Sequence, residues 1–331
     1  MGCVRSLFLG CTLGIAAAAC VTMALHQSSK EAGFAWQRST SLPADGISYH
    51  YYAEGSEILR FCGSDALVID VDLTKSRYIP YVAADHPDRK HGGQLAGKAH
   101  TVLEWCKLTG SPAGINGGYF GETIGGYRQI EGMLISGGKS YGSSHWIKAR
   151  AGKGPAFTRC AFAMLPDNRP VIGWAVSGTP GKILLYPSPV NTGGGLQLKA
   201  SSAISCGPRL IADGEIDITD KAERLVSSAP LPRTFLAYDV SGGKPLHFVM
   251  GISMTMTYKD VALFLQSYFR KEHHSHCAEA MCLDGGGSSQ LVYRNPKNNG
   301  KSGEDRTQYV DSRPSLVPVP TAILLKTSNP R

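Results

Sequence analysis

Asp284 ends an apolar run, "EAMCLD" (279–284), and three glycines and two serines separate it from a second apolar run, "QLVY" (290–293). A carboxylate at a strand end beside such a turn could act as a base, a nucleophile or a metal ligand. Successive N–H groups of the turn, Gly285, Gly286 and Gly287 with Ser288, can face an anion. Each glycine loses much backbone entropy on folding, so the stretch implies unusual dihedrals or close approach. No Gly-Lys-Ser/Thr occurs here and a strand follows, which disfavours a nucleotide phosphate loop. The plainer alternative is a tight turn that Asp284 caps with its own side chain.

Other residues offer complementary chemistry. In "INGGYF" (115–120), Asn116 could orient sugar hydroxyls while Tyr119 and Phe120 stack a sugar ring; an ordinary Asn-Gly turn with buried aromatics is the alternative. Arg209 follows a Gly-Pro break in "CGPRLI", and Arg233 opens an apolar run in "LPRTF". Two guanidiniums so placed suit a forked clamp on phosphate or carboxylate, although a single Arg is more often a solvated charge. "HHSHC" (273–277) matches no zinc spacing and suits a helix C-terminus better. H-E-x-x-H is absent.

The elements that must position these residues read as an α+β fold, a mixed but largely antiparallel sheet of about ten strands with two main helices in a single domain. "ALVIDVDL" (66–73) and "RYIPYVAA" (77–84) read as a hairpin across "TKS". Apolar spacing predicts a helix within residues 93–110, capped by Gly110, and another within 257–274, opened by a Thr257–Asp260 capping box. Residues 178–202, rich in Gly and Pro, read as a long surface loop. "RCAFAML" and "PVIGWAV" bracket a "PDNR" turn, "DG" tips a hairpin after Arg209, and "VPTAILLK" (319–326) is a final strand.

Residues 1–30 read as a signal peptide or N-terminal membrane anchor: Arg5 is the only early charge and residues 7–25 carry none. Lipidation at Cys20 is a further variant, and each places the remainder outside the cytoplasm, periplasmic, secreted or anchored. Residues 31–60 form a lead-in and 61–327 the main domain. Six cysteines follow the leader; in an oxidising compartment they could pair, with Cys277–Cys282 the nearest local bridge, and buried thiols are the alternative. The 39 glycines among 331 residues exceed the usual share of about 7%, consistent with many turns and strands. The net charge of +8 is scattered, with no basic stripe interleaved with aromatics. That suits anionic small molecules or polyanionic glycans and argues against nucleic acid.

Taken together and in order, "INGGYF", "CGPRLIADGE", "RTFLAYD" and "LDGGGSSQLVY" resemble the phosphodiester glycosidase family over about residues 60–327. The resemblance implies cleavage between a sugar C1 and a phosphodiester oxygen, releasing free sugar and a phosphomonoester. The motif residues carried over are Asn116, Arg209, Arg233, Asp284 and the 285–287 turn. In that chemistry Arg209 and Arg233 bind the phosphodiester, Asn116 holds sugar hydroxyls, and Asp284 is the carboxylate nearest C1, as base or nucleophile. Glu131 and Asp239 are candidates for a second catalytic carboxylate. The expected partner is a sugar-1-phosphodiester or phosphorylated glycan of a bacterial envelope, with membrane contact only through the N-terminal segment. The sequence identifies no definite cofactor, and a divalent cation such as calcium near Asp284 stays open. The alternatives are a non-catalytic glycan-binding or envelope-assembly protein on the same scaffold, and a metal-dependent phosphodiesterase.

Overall fold

The computed structural model describes residues 40–42, 46–89, 94–143, 145–148, 156–190, 193–225, 229–294, 309–315 and 317–328. The expected export segment and the first part of the lead-in, up to residue 39, lie outside the described residues. Among those described, no helix is long and apolar enough to cross a membrane.

Runs of β-branched and aromatic residues form three sheets, and every pairing given between their strands is antiparallel. The first sheet centres on a long hairpin, Leu231–Ser241 and Lys244–Met256. Cys277–Cys282 lies beside the first of these strands and Ala66–Asp72 beside the second. The second sheet contains Leu134–Ser136, Ser202–Cys206, Cys160–Met164 and Pro170–Ser177. In the third, Ala113–Asn116 runs between Leu291–Arg294 and Thr321–Thr327.

Two α-helices cover sheet faces. Helix α1, Val102–Thr109, starts at a Thr101–Glu104 capping box and stops at Gly110 in the left-handed conformation. Its Val102, Trp105 and Cys106 pack on Ala322 and Leu324 of the third sheet. Helix α2, Tyr258–His273, opens with the expected Thr257–Asp260 box. It buries Val261, Phe264, Leu265 and Tyr268 against Phe235, Val249 and Cys282 of the first sheet. Burial of one such side chain is worth about 1.5–3 kcal/mol, so this face anchors the central strands.

Several expectations change. The architecture is mostly β, with more strands and less helix than an α+β reading suggests. The expected 66–84 hairpin does not form: Ala66–Asp72 joins the first sheet and Tyr78–Asp88 the third, because Asp72 turns the chain by accepting from Thr74 and Lys75 N–H groups. Ahead of α1, Ala96–Lys98 is a strand, since Thr101 starts the helix late. Residues 178–202 carry two strands, Lys182–Tyr186 and Leu196–Lys199. All six cysteines of the main domain are free. Cys277 and Cys282 end the same strand, roughly 16 Å apart by strand rise, beyond disulfide reach.

Asp239 also moves out of the catalytic set. It pairs with Cys277, at the opposite end of the strand that leads to Asp284, and so stands on the order of 20 Å from it. Asp239 is fully buried, accepting from His247 Nδ1 at 2.8 Å, His247 N at 2.7 Å and Ser275 Oγ at 2.9 Å. The His247 ring stacks on His273 at 3.7 Å, and His273 pairs with Asp70. Burial alone would lower the pKa of His247, but hydrogen bonding and the charge of Asp239 raise it. Stabilisation from this raised group is complete below the ordinary imidazole pKa and is lost as pH rises through the folded value. His247→Gln is therefore expected to cost about 1 kcal/mol near pH 6 and less near pH 9, read by denaturant unfolding at both.

Candidate active site

The turn after Asp284 joins two sheets. Cys277–Cys282 brings the chain in from the first, and Leu291–Arg294 takes it into the third. Asn116 holds both ends of this junction: its Nδ2 donates to the Asp284 carbonyl at 2.8 Å, and its Oδ1 accepts from Gln290 N at 3.1 Å. Thr234 Oγ1 donates to the same Asp284 carbonyl at 3.0 Å, and Asp284 N donates to the Gly117 carbonyl at 3.3 Å. Asn116 is fully buried, so it braces the turn instead of meeting sugar hydroxyls as expected. Within the turn Gly286 has φ +64°, a left-handed conformation that glycine adopts without steric cost. At Gly118 a Cβ would overlap the Ser205 carbonyl, so glycine lets the Asn116 strand end approach the second sheet. Tyr119 Oη then donates to the Gly207 carbonyl at 2.6 Å, binding this segment to the residue that follows the second-sheet strand Ser202–Cys206.

Asp284 is half-buried, and desolvation raises its pKa to about 6, against the favourable effect of hydrogen bonds from the Ser288 side chain and Gly285 N–H. The charge of Glu131 adds to the rise. Glu131 is exposed, its N–H donates to the Tyr119 carbonyl, and it lines a cavity of about 300 Å³. Tyr119, His145, Trp146, Arg159 and Ser205 share that lining. Trp146 meets Tyr186 edge-on, with ring centroids 4.8 Å apart. Arg159 lies over the Tyr119 ring at 5.8 Å and donates to the Glu223 carbonyl. The Glu223 carboxylate is itself fixed in the interior by Thr219, Trp174 Nε1 at 3.1 Å and Cys160 N at 2.9 Å.

The expected pair of guanidiniums does not converge on the turn. Arg209 is buried, donates from Nε to Glu279 at 2.9 Å and stacks on Trp174 at 4.6 Å. Burial works against its charge, but Glu279 outweighs this and raises the Arg209 pKa. A buried arginine held by its own carboxylate is a structural pair, since separating the two would leave a buried charge uncompensated. Arg233 passes beside Gly285 but is buried, donating to the Met256 carbonyl at 3.2 Å and the Ala229 carbonyl at 2.8 Å under the Tyr258 ring. The guanidinium that does line the cavity is Arg159, at the start of the "RCAFAML" strand; its position resembles that of Arg233, and sequence pattern alone does not separate them. Among the described residues no group of three His, Cys, Asp or Glu side chains is placed to hold a metal ion, and Asp284 with Glu131 falls short of a calcium donor set.

The mostly-β scaffold thus brings Asp284 within electrostatic reach of Glu131, which lines a cavity with aromatic and guanidinium walls. The chain belongs to the phosphodiester glycosidase family, whose sequence profile matches residues 109–326. No curated protein matches the sequence. Among solved structures, a Synechocystis protein aligns at TM-score 0.49 and 11% identity over 85% of this chain, which spans 62% of that protein's length. A protein of Burkholderia pseudomallei K96243 aligns at TM-score 0.42 and 13% identity, over 79% of this chain and 74% of its own.

Two stability effects follow. Asn116→Ala removes the bridge and leaves Gln290 N–H buried without its acceptor, a loss of about 1–3 kcal/mol by denaturant unfolding. Because the pKa of Asp284 is raised on folding, from 3.8 to about 6, its ionisation opposes the fold as pH rises across that window. Asp284→Asn is expected to stabilise the protein at neutral pH by at most about 3 kcal/mol, with the gain vanishing near pH 4. Unfolding curves at the two pH values check this.

Proposed function

We propose that this protein is an exported hydrolase that cleaves the C1–oxygen bond of a sugar-1-phosphodiester, releasing free sugar and a phosphomonoester. The observation that carries this reading is the half-buried Asp284, its pKa raised to about 6, within electrostatic reach of Glu131, which lines the cavity. The phosphomonoester is a good leaving group and departs without much help from an acid. The demanding steps are activating water and stabilising positive charge at C1. Ionised Asp284 takes the proton of the attacking water, and Glu131 adds negative charge near the oxocarbenium-like centre. Trp146 and Tyr119 offer apolar faces for a sugar ring, and Arg159 supplies positive charge for the phosphodiester. The uncharged N-terminal stretch at residues 7–25 supports export, and the net charge of +8 suits an anionic envelope glycan.

Since the base must be ionised, kcat/KM is expected to climb as pH rises through about 6 and then level off. Asp284→Asn should lower kcat by about 10²–10⁴-fold, whereas Arg159→Ala should act mainly by raising KM. A panel of sugar-1-phosphodiesters assayed for free sugar tests all three. Glycan affinity with no turnover in the wild type would contradict the enzymatic reading and favour a binding protein.

A further inference from the structure

The turn that carries Asp284 is held from behind by a residue on a distant segment. Arg313 follows the edge strand Tyr309–Asp311 of the third sheet. Its Nη1 donates to two turn carbonyls, Gly286 at 2.8 Å and Ser289 at 2.9 Å. Ser315, two residues on, donates to the Gly287 carbonyl at 3.2 Å. The Asp284 carbonyl is already held by Asn116 and Thr234, so four carbonyls of this segment carry side-chain partners. Fixing the carbonyls fixes the peptide planes: the Asp284 carbonyl sets the Gly285 N–H, and the Gly286 and Ser289 carbonyls bracket Ser288, whose hydroxyl is the second donor to the Asp284 side chain.

We propose that Arg313 is a positioning residue, which rests on the reading of Asp284 as catalytic: by tying the Gly286 and Ser289 carbonyls together it holds Ser288, which lies between them, with its Oγ on the Asp284 carboxylate. The effect runs through the backbone, for both hydrogen bonds of Arg313 end on turn carbonyls. Arg313 is half-buried, and burial lowers its pKa, with Asp311 opposing that shift. A guanidinium accepts this partial desolvation while staying charged, and its planar fork spans two acceptors in a way a lysine ammonium on a flexible stem does not.

The test is the titration of Asp284 itself, followed by NMR of isotopically labelled aspartate carboxyls and assigned with Asp284→Asn, in the wild type, Arg313→Ala and Arg313→Lys. Both Arg313 variants are expected to titrate higher than the wild type by about one unit, the effect of weakening one hydrogen bond to a charged group. An unchanged titration in both overturns the proposal. A shift in Arg313→Ala that Arg313→Lys fully restores also overturns it, because charge alone would then explain the effect. Should the alanine variant not fold, the lysine variant together with Ser315→Ala, which removes only the Gly287 tether, gives the same decision. Turnover separates the two readings: an inactive wild type with the expected titration shift leaves the positioning role standing and removes the catalytic one. In an active enzyme Arg313→Lys should lower kcat by up to about 10²-fold with little change in KM, as expected when a reacting group is displaced by about 1 Å.

Discussion

The side-chain amide of Asn116 sets the geometry on which the site depends. One short side chain, sealed from solvent, ties the Asp284 carbonyl at one end of the glycine turn to Gln290 N–H at the other. Gln290 extends the linkage, accepting from Val102 N at the start of α1 at 2.9 Å and donating to the Val317 carbonyl at 2.8 Å. The turn is thereby fixed to the first and third sheets and to a helix terminus. Buried amide groups without partners cost about 1–3 kcal/mol each, so the arrangement favours one position of the turn over looser ones.

Such rigidity makes an uncomfortable carboxylate sustainable. Asp284 sits where burial and a neighbouring negative charge both resist its ionisation, and two local donors recover only part of that loss. The surrounding cores supply stability for this one unfavourable group, chiefly the α2 face packed on the first sheet. The buried Arg209–Glu279 pair does different work: it fills the interface near Trp174 between the first and second sheets and keeps its positive charge there. Positive charge facing the cavity comes from Arg159, which the network around Glu223 holds in place.

Much of this fold could be read from local patterns. The α2 helix, with its capping box and wide apolar face, appears where periodicity places it, as does the strand–turn–strand around Asp284. Local signals failed where long-range pairing decided the outcome. "ALVIDVDL" and "RYIPYVAA" look like a hairpin because only three residues separate them, yet each finds its partners in another part of the chain. The same limit applies to the site. Asp284 stands out because three glycines follow it, and Glu131 because it precedes a strand near the Asn116 loop. Arg209 and Arg233 looked like free cations because nothing in the chain near them shows that Glu279 and the Met256 and Ala229 carbonyls will engage them. Arg159 and Arg313 carry no pattern of their own and gain meaning only from what lies across from them.

The central claim is that water, activated by Asp284, attacks the sugar carbon and not phosphorus. Hydrolysis of a sugar-1-phosphodiester in isotope-labelled water, with the products separated and weighed by mass spectrometry, tests this most directly. The account predicts label at the anomeric hydroxyl of the released sugar and none in the phosphomonoester. Label in the phosphate would show cleavage of the phosphorus–oxygen bond and contradict the assignment of Asp284 as the base acting at C1.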